Sequence, residues 1–423
     1  MFGITNRMPL KHNIVYSIVG TIAQRGLTLV SGIIIARVAG AEFLGQYAVL
    51  LSTVFIFGAF ATFGIAPSAA KYIAENKDND KLKTSKIIYI TAVTAVVIGF
   101  VLFLIVFGSS YFIVDVIYQK PELFDLLRII SPLILLYSLT AFQNGVLAGF
   151  GEFSSIAKIN IISGIINFTL FIIAFYWFDL IGVIIALLCG QVVNNYLLYL
   201  RVKFVLSENE IIVSRSGATS EIQLLTQFGA PSFLVGIIQG VANWVCVILL
   251  TRQESGVSLM ADYHIMNQWY SLILFIPNVA SNVILPFLSN LHKNESNNVH
   301  NSVIELIKSY GVASFIATIF LIIFTPIIVQ IYGEKFGDLE SLFVLTFVTG
   351  FVVALKSPLE QYLAAADKAW MLLVIHIVFV SIYLSGAYLW IDYGVTAVLV
   401  AKLIGYIVFF IFSWFLFQNL RKS

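Results

Sequence analysis

Residues 86–107 read KIIYITAVTAVVIGFVLFLIVF: one lysine at the leading edge, then an uninterrupted apolar run. A helix rises 1.5 Å per residue, so about 20 residues reach across a hydrocarbon core roughly 30 Å thick. Inside that core no water can satisfy backbone N–H and C=O groups, and a helix satisfies them within the segment. Similar runs recur along the chain, and twelve spans are predicted at about 14–36, 43–66, 86–107, 125–149, 154–178, 180–204, 229–251, 262–289, 303–325, 340–365, 369–390 and 393–417. The first holds Arg25 and lacks a small-residue cleavage pattern. It reads as a retained helix, not a signal peptide.

The composition agrees. Of 423 residues, 60% are hydrophobic and 11% charged, whereas soluble domains run near 45–50% and about 25%. So few charges cannot coat a soluble globule. An outer-membrane barrel is excluded too, because its strands alternate apolar and polar residues over about 10 positions. The longest polar gap, Leu206–Gln227, leaves no room for an extramembrane catalytic domain. Cys189 and Cys246 both fall inside spans and read as small buried hydrophobes, with no metal or redox spacing.

Lysine and arginine set the orientation. With the N-terminus inside, the stretches at 7–11, 71–86, 158, 201–215, 293–308, 368 and 421–422 carry sixteen of them, and the opposite side carries five. Both termini are therefore predicted in the cytoplasm. The two halves also echo each other. Arg37 and Arg252 end spans one and seven; Gly45-Gln46-Tyr47 and Ala261-Asp262-Tyr263 open spans two and eight. Ile117-Tyr118 and Ile331-Tyr332 precede spans four and ten, which end in Val146-Leu147-Ala148-Gly149 and Tyr362-Leu363-Ala364-Ala365. Each pair is offset by 214 to 216 residues. That predicts an all-α membrane protein of two parallel six-helix lobes, 1–205 and 229–423, joined by a cytoplasmic linker over 206–228. Transporters built from repeats bind substrate near the midplane between them.

Ionised side chains inside a membrane are functional candidates by default. Arg25 lies about 17 Å along its helix from Ile14, near mid-bilayer. Thr21, Gln24, Arg25, Thr28, Ser31 and Gly32 share its face. The stripe reads as the wall of a wet cationic cavity, or as an arginine satisfied by helix carbonyls. Amide stripes follow: Lys158, Asn160 and Asn167 on span five, Asn194 on span six, Gln239 and Asn243 on span seven, Asn267 on span eight. They suit sugar hydroxyls, or bond helix to helix. Lys356 and Glu360, one turn apart around Pro358, read as structural glue or as part of a cation-responsive site. Lys402 and His376 complete the intramembrane set; His376 reads as a protonation-switchable side chain or as a packed or hydrogen-bonded one. Asp78-Asn79-Asp80 matches DxD by letter but lies in a lysine-rich loop and reads as solvated. With no P-loop, HExxH or GxSxG, no enzyme is predicted.

Ile35-Ala36-Arg37, Leu44-Gly45-Gln46-Tyr47, Gly64-Ile65-Ala66-Pro67 before Lys71-Tyr72, Ile117-Tyr118 and Val146-Leu147-Ala148-Gly149 resemble Wzx-type O-antigen or polysaccharide flippases. Those belong to the multidrug/oligosaccharidyl-lipid/polysaccharide exporter superfamily. The resemblance implies a V-shaped pair of lobes around a cationic cavity. It also implies a lipid-diphosphate-linked oligosaccharide turned from the cytoplasmic to the periplasmic leaflet of the bacterial inner membrane. It implies membrane lipid, a polysaccharide polymerase and chain-length proteins as partners, and neither cofactor nor nucleic acid. Arg25 matches the family's basic cavity residues in kind; Lys158, Arg252, Lys356 and Lys402 are further candidates. Arginine offers a planar fork to phosphate. The alternatives are a cation-coupled multidrug-type antiporter, whose cavity would be acidic, and a polysaccharide polymerase or ligase, which would need a large outside loop.

The charge bias generates the first prediction. A cysteine placed at position 81 will react with membrane-permeant thiol reagents and stay protected from impermeant ones added outside; labelling from the periplasm would reverse the assigned orientation.

Overall fold

The computed structural model describes residues 26–62, 64–215, 230–274, 277, 284, 288, 296–333, 336, 339–366 and 368–422. Among these there is no strand. The helices are α1 Gly26–Ala39, α2 Ala41–Ala61, α3 Ile65–Asn76, α4 Lys81–Gly108, α5 Phe124–Ile130, α6 Leu133–Gly149, α7 Phe153–Glu208, α8 Ala230–Thr251, α9 Gly256–Ile273, α10 Ser296–Tyr332, α11 Leu339–Ala365, α12 Ala369–Leu389 and α13 Val395–Lys422. Nine helical stretches are long and apolar enough to cross a membrane among the described residues. One, the 56-residue α7, breaks at Phe178 and Asp179, between the fifth and sixth predicted spans. With α1 and α9 the twelve spans are accounted for.

Helices start earlier than their apolar cores. α4 begins at Lys81, where the Asp80 side chain accepts a hydrogen bond from the Lys83 amide at 2.8 Å. Thus the DxD-like run supplies an N-cap. α9 begins at Gly256, ahead of the predicted 262. Apolar length marks what lies in lipid; capping marks where the helix ends.

Contacts group the chain into two compact units. One comprises 1–31 and 53–230, the other 32–52 and 231–423. The segment Gly32–Ser52, assigned to the N-terminal lobe on sequence, therefore belongs by contact to the second unit. It packs closely on α9 at its glycines. A Cβ on Gly45 would stand 1.8 Å from the Val257 carbonyl oxygen, and one on Gly32 would stand 2.6 Å from the Gln268 amide. Tyr47 meets His264 edge to face at 5.8 Å. The Arg37 guanidinium donates to the Ile331 carbonyl at 3.4 Å.

Within the first unit α3, α4, α6 and α7 enclose Ala69, Ile73, Ile87, Val146, Leu147, Leu198 and Val202. Gly145 and Gly149 let α6 close on α3: added Cβ atoms would lie 2.7 Å from Ala66 O and from Ile73 Cβ. Below this core, Ser85 donates to Ile212 O and accepts from the Ser214 amide, both at 2.7 Å, tying down the start of the linker. Arg201 donates twice to one Glu152 oxygen, at 2.7 and 3.1 Å.

The repeat is visible in bonds and backbone, not only in letters. Buried Tyr118 is hydrogen-bonded to Thr53 at 2.7 Å. In the second unit buried Tyr332 accepts from Trp269 Nε1 at 2.8 Å. The residues after these tyrosines, Gln119 and Gly333, both take positive φ, 57° and 87°. The turns before the last span of each half match as well: Asp179 at φ 49°, ψ −144° and Gly394 at φ 59°, ψ −132°. Such a backbone is nearly exclusive to glycine.

Asp179 thus holds a conformation that Gly394 adopts without cost. Asp179→Gly will stabilise the purified protein by about 1 kcal/mol, and Gly394→Ala will destabilise it by at least that much, with a Cβ also 3.0 Å from Leu259 Cδ2. Thermal unfolding in detergent checks both signs.

Candidate functional site

Five helices of the second unit present polar or aromatic residues separated by four or seven positions, which places those of each helix on one face. α8 carries Gln239, Asn243 and Cys246; α9 carries Tyr263, Asn267 and Tyr270; α11 carries Lys356 and Glu360; α12 carries His376 and Tyr383; α13 carries Lys402, Tyr406 and Phe409. These faces converge. Lys356 forms a hydrogen-bonded ion pair with Glu360 Oε2. His376 Nε2 lies 3.1 Å from Glu360 Oε1, and its Nδ1 lies 2.9 Å from Gln239 Nε2. Tyr383 Oη donates to Asn243 Oδ1 at 3.4 Å and sits 3.3 Å from the Tyr263 hydroxyl, which in turn neighbours Asn267.

The charges here are withdrawn from solvent. His376 is 0% exposed, Lys356 4% and Lys402 5%; the Glu360 side chain keeps 24%. A buried charge needs a partner or it destabilises the fold. Lys356 has its carboxylate and also lies 4.3 Å from the centre of the Phe409 ring. Lys402 has no carboxylate within 4.0 Å among the described residues. It rests on Tyr270 at 4.3 Å and near Tyr383 at 6.0 Å, and a desolvated cation on an aromatic face gains about 2 kcal/mol. Phe379, stacked on Tyr406 at 4.3 Å, closes the apolar side.

The structure brings together Gln239, Asn243, Asn267, Lys356 and Glu360 from the sequence-derived set. Four more are in the first unit. Lys158 is exposed and Asn160 half-buried on α7. Asn167 fills the space left by Gly190, where a Cβ would be 2.6 Å from its Cγ. Asn194 is buried on the far half of α7. The side-chain oxygens of Gln143, Asn144, Asn167, Asn194 and Asn195 have no hydrogen-bond partner among the described residues. Each is a buried acceptor that a water or a hydroxyl can satisfy. Thr28 on α1 and Arg252 at the end of α8 are exposed; Gln24 and Arg25 lie outside the described residues. Sequence reasoning missed the tyrosines 263, 270, 383 and 406. Tyr263 and Tyr270 are seven apart on α9, and Tyr383 and Tyr406 stand on α12 and α13; this reads as ordinary packing until the helices are assembled.

Removing one member of the buried pair leaves the other unpaired. Glu360→Leu will cost about 3 kcal/mol, and adding Lys356→Met will restore most of it. A double-mutant thermal-unfolding cycle measures the difference.

A family model described as "Polysaccharide biosynthesis protein" matches residues 10–292. The EPS I polysaccharide export inner membrane protein EpsE of Ralstonia nicotianae is 24% identical over 202 residues, 47% of this chain and 46% of that protein. EpsE of Ralstonia solanacearum matches over the same extent. The match spans about half the length of these curated relatives. An inward-facing multidrug resistance MATE family transporter of the MOP superfamily superposes with TM-score 0.75 at 15% identity, over 95% of this chain and 96% of that one. A MOP superfamily transporter from Pyrococcus furiosus, described as having a binding pocket of reverse polarity, gives 0.70 at 15%, over 98% and 96%. At such identity the likeness is one of fold, and it is the exporter fold that the sequence resemblance implies. With the family model covering more than half of its length, the chain belongs to the polysaccharide biosynthesis protein family.

Proposed function

We propose that this protein is a flippase. It carries a polyprenyl-diphosphate-linked oligosaccharide, an O-antigen or capsule repeat unit, from the cytoplasmic to the periplasmic leaflet of the bacterial inner membrane by alternating access through a cationic central cavity. It does no covalent chemistry, both termini face the cytoplasm, and a polysaccharide polymerase and chain-length proteins act on what it delivers. The observation that carries this reading is the match of a polysaccharide family model to a chain built almost wholly of membrane helices. The relatives named as polysaccharide export proteins support the substrate class. The unpaired amide oxygens of α6 and α7 are acceptors suited to sugar hydroxyls.

The diphosphate needs cations away from water, and Arg25 is assigned that role, with Lys158 and Arg252 as further contributors. A guanidinium at mid-bilayer costs about 2.5–3.5 kcal/mol on insertion scales, which an anionic headgroup offsets. The alternative, a cation-coupled small-molecule antiporter, would need a free carboxylate, and Glu360 is already held by Lys356.

The Arg25 series tests the proposal. Arg25→Ala will insert normally yet fail to deliver polysaccharide to the cell surface. Arg25→Lys will retain part of the activity, since charge survives without the bidentate fork, and Arg25→Glu will be inactive. Surface-polysaccharide complementation at matched protein abundance reads the outcome; full complementation by Arg25→Ala moves the phosphate site elsewhere.

A further inference from the structure

Arg128, on α5 of the first unit, carries a cation that the protein itself does not satisfy. Its Nε is buried and has no hydrogen-bond partner among the described residues. No carboxylate of those residues comes within 4.0 Å of it. The guanidinium lies instead over two rings, 4.3 Å from the centre of Phe107 and 5.1 Å from that of Phe124. Rings stabilise the charge but do not fill the fork of N–H donors, and arginine cannot shed its proton to escape the cost. The scaffold does not require a cation here. At the matching place in the second half, 214 to 216 residues on, stand Leu342, Phe343 and Val344, and Phe343 is fully buried.

The surroundings of this cation are ordered by depth. α4 ends at Gly108 and the next candidate span opens at Pro121, so Phe107, Asp125 and Arg128 all lie near one end of their spans. Asp125 is outermost; it is exposed, and no cation of the described residues comes within 4.0 Å of it. Arg128 follows one turn deeper, about 4.5 Å along the helix. Below it Phe107, Phe103 and Phe100 descend α4 with ring centres 5.8 and 5.9 Å apart. Spacings of four and three residues keep the three rings on one stripe. Phe100 and the neighbouring Val101 and Leu104 are exposed, so this side of α4 faces outward from the unit. The row covers about 10 Å of the roughly 15 Å that one leaflet offers an acyl chain.

We propose that Asp125, Arg128 and the phenylalanine row of α4 form a binding site for a zwitterionic phospholipid of the phosphatidylethanolamine type. Such a lipid presents, from its tip inward, an ammonium, a phosphate and an acyl chain. The protein presents, in the same order, a carboxylate, a guanidinium and a row of rings. Arg128 donates to the phosphate oxygens, for which its planar fork is shaped. Asp125 accepts from the ammonium, and one chain lies along Phe107, Phe103 and Phe100. The other charges of this connection are Asp115, Lys120 and Glu122. Three carboxylates therefore stand against two cations, a balance that repels a purely anionic headgroup and admits one that brings its own ammonium. Asp125 and Arg128, three apart on one helix, have the spacing of an ion pair; with the guanidinium drawn onto the rings, both charges stay open to the lipid. The bound lipid is a resident of the membrane and not the cargo, so the site stands whether or not the chain is a flippase.

Native mass spectrometry of the full chain, delipidated in detergent and titrated with dioleoyl lipids, tests the site. The wild type will retain one phosphatidylethanolamine more tightly than phosphatidylglycerol, which lacks the ammonium, and far more tightly than diacylglycerol, which lacks the phosphate as well. Arg128→Gln will weaken retention about tenfold, the worth of a hydrogen bond to a charged group. Arg128→Lys will weaken it less, since the charge survives without the fork. Asp125→Asn will bring phosphatidylethanolamine down to the level of phosphatidylglycerol, and Lys203→Gln, an exposed cation at the other end of the unit, will change nothing. Thermal unfolding of each variant reports whether the fold survives, and the ranking of lipids on the wild type needs no variant at all. Diacylglycerol or phosphatidylglycerol held as tightly as phosphatidylethanolamine overturns the proposal. So does displacement of the lipid by inorganic phosphate alone, which would make this a site for the free anion, or unchanged retention in a folded Arg128→Gln.

Discussion

A lipid interior offers no water, and that one constraint organises this molecule. Backbone polar groups are satisfied inside each helix, so helices with apolar outer faces are the building unit. Every intramembrane charge must then find its compensation within the protein. The second unit answers with an ion pair, a histidine wedged between an amide and a carboxylate, and a lysine seated on tyrosine rings. Among its described residues the first unit buries amides on α6 and α7 and leaves several of their oxygens unfilled. The two halves share a scaffold and differ in their chemistry.

The scaffold is shared down to single bonds. Tyr118 with Thr53 and Tyr332 with Trp269 perform the same task 214 to 216 residues apart, one through a hydroxyl pair and the other through an indole N–H. Asp179 and Gly394 hold the same unusual backbone with very different side chains. The two halves hold the same geometry at these joints with different residues.

The fold was legible because apolar length is a local signal: any stretch such as 86–107 declares itself without its neighbours. The break between spans five and six was also local, falling at Phe178 and at Asp179, the one charged residue in an apolar run. The Lys356–Glu360 pair was readable for the same reason, being one turn apart on one helix. His376 was not. Its partners come from α8 and α11, far away in sequence, and a lone histidine in an apolar run has no period of its own to betray a role. The membership of Gly32–Ser52 in the second unit was equally hidden. A glycine that admits a carbonyl at Gly45 looks, in sequence, like any other glycine. Whether the amides of the first unit line a path is a question of how helices face each other, which spacing along one helix does not encode.

The placement of Lys356 and Glu360 on a single helix also bears on biogenesis. A translocon releases helices into the bilayer in order, and α11 leaves with its ammonium and carboxylate already one turn apart. The segment can therefore partition as a neutral zwitterion before any neighbour arrives. Lys402 has no such companion on α13; its aromatic seat is built by Tyr270 and Tyr383 on α9 and α12, which precede it. The last helix thus enters a membrane in which the receptor for its charge is already present.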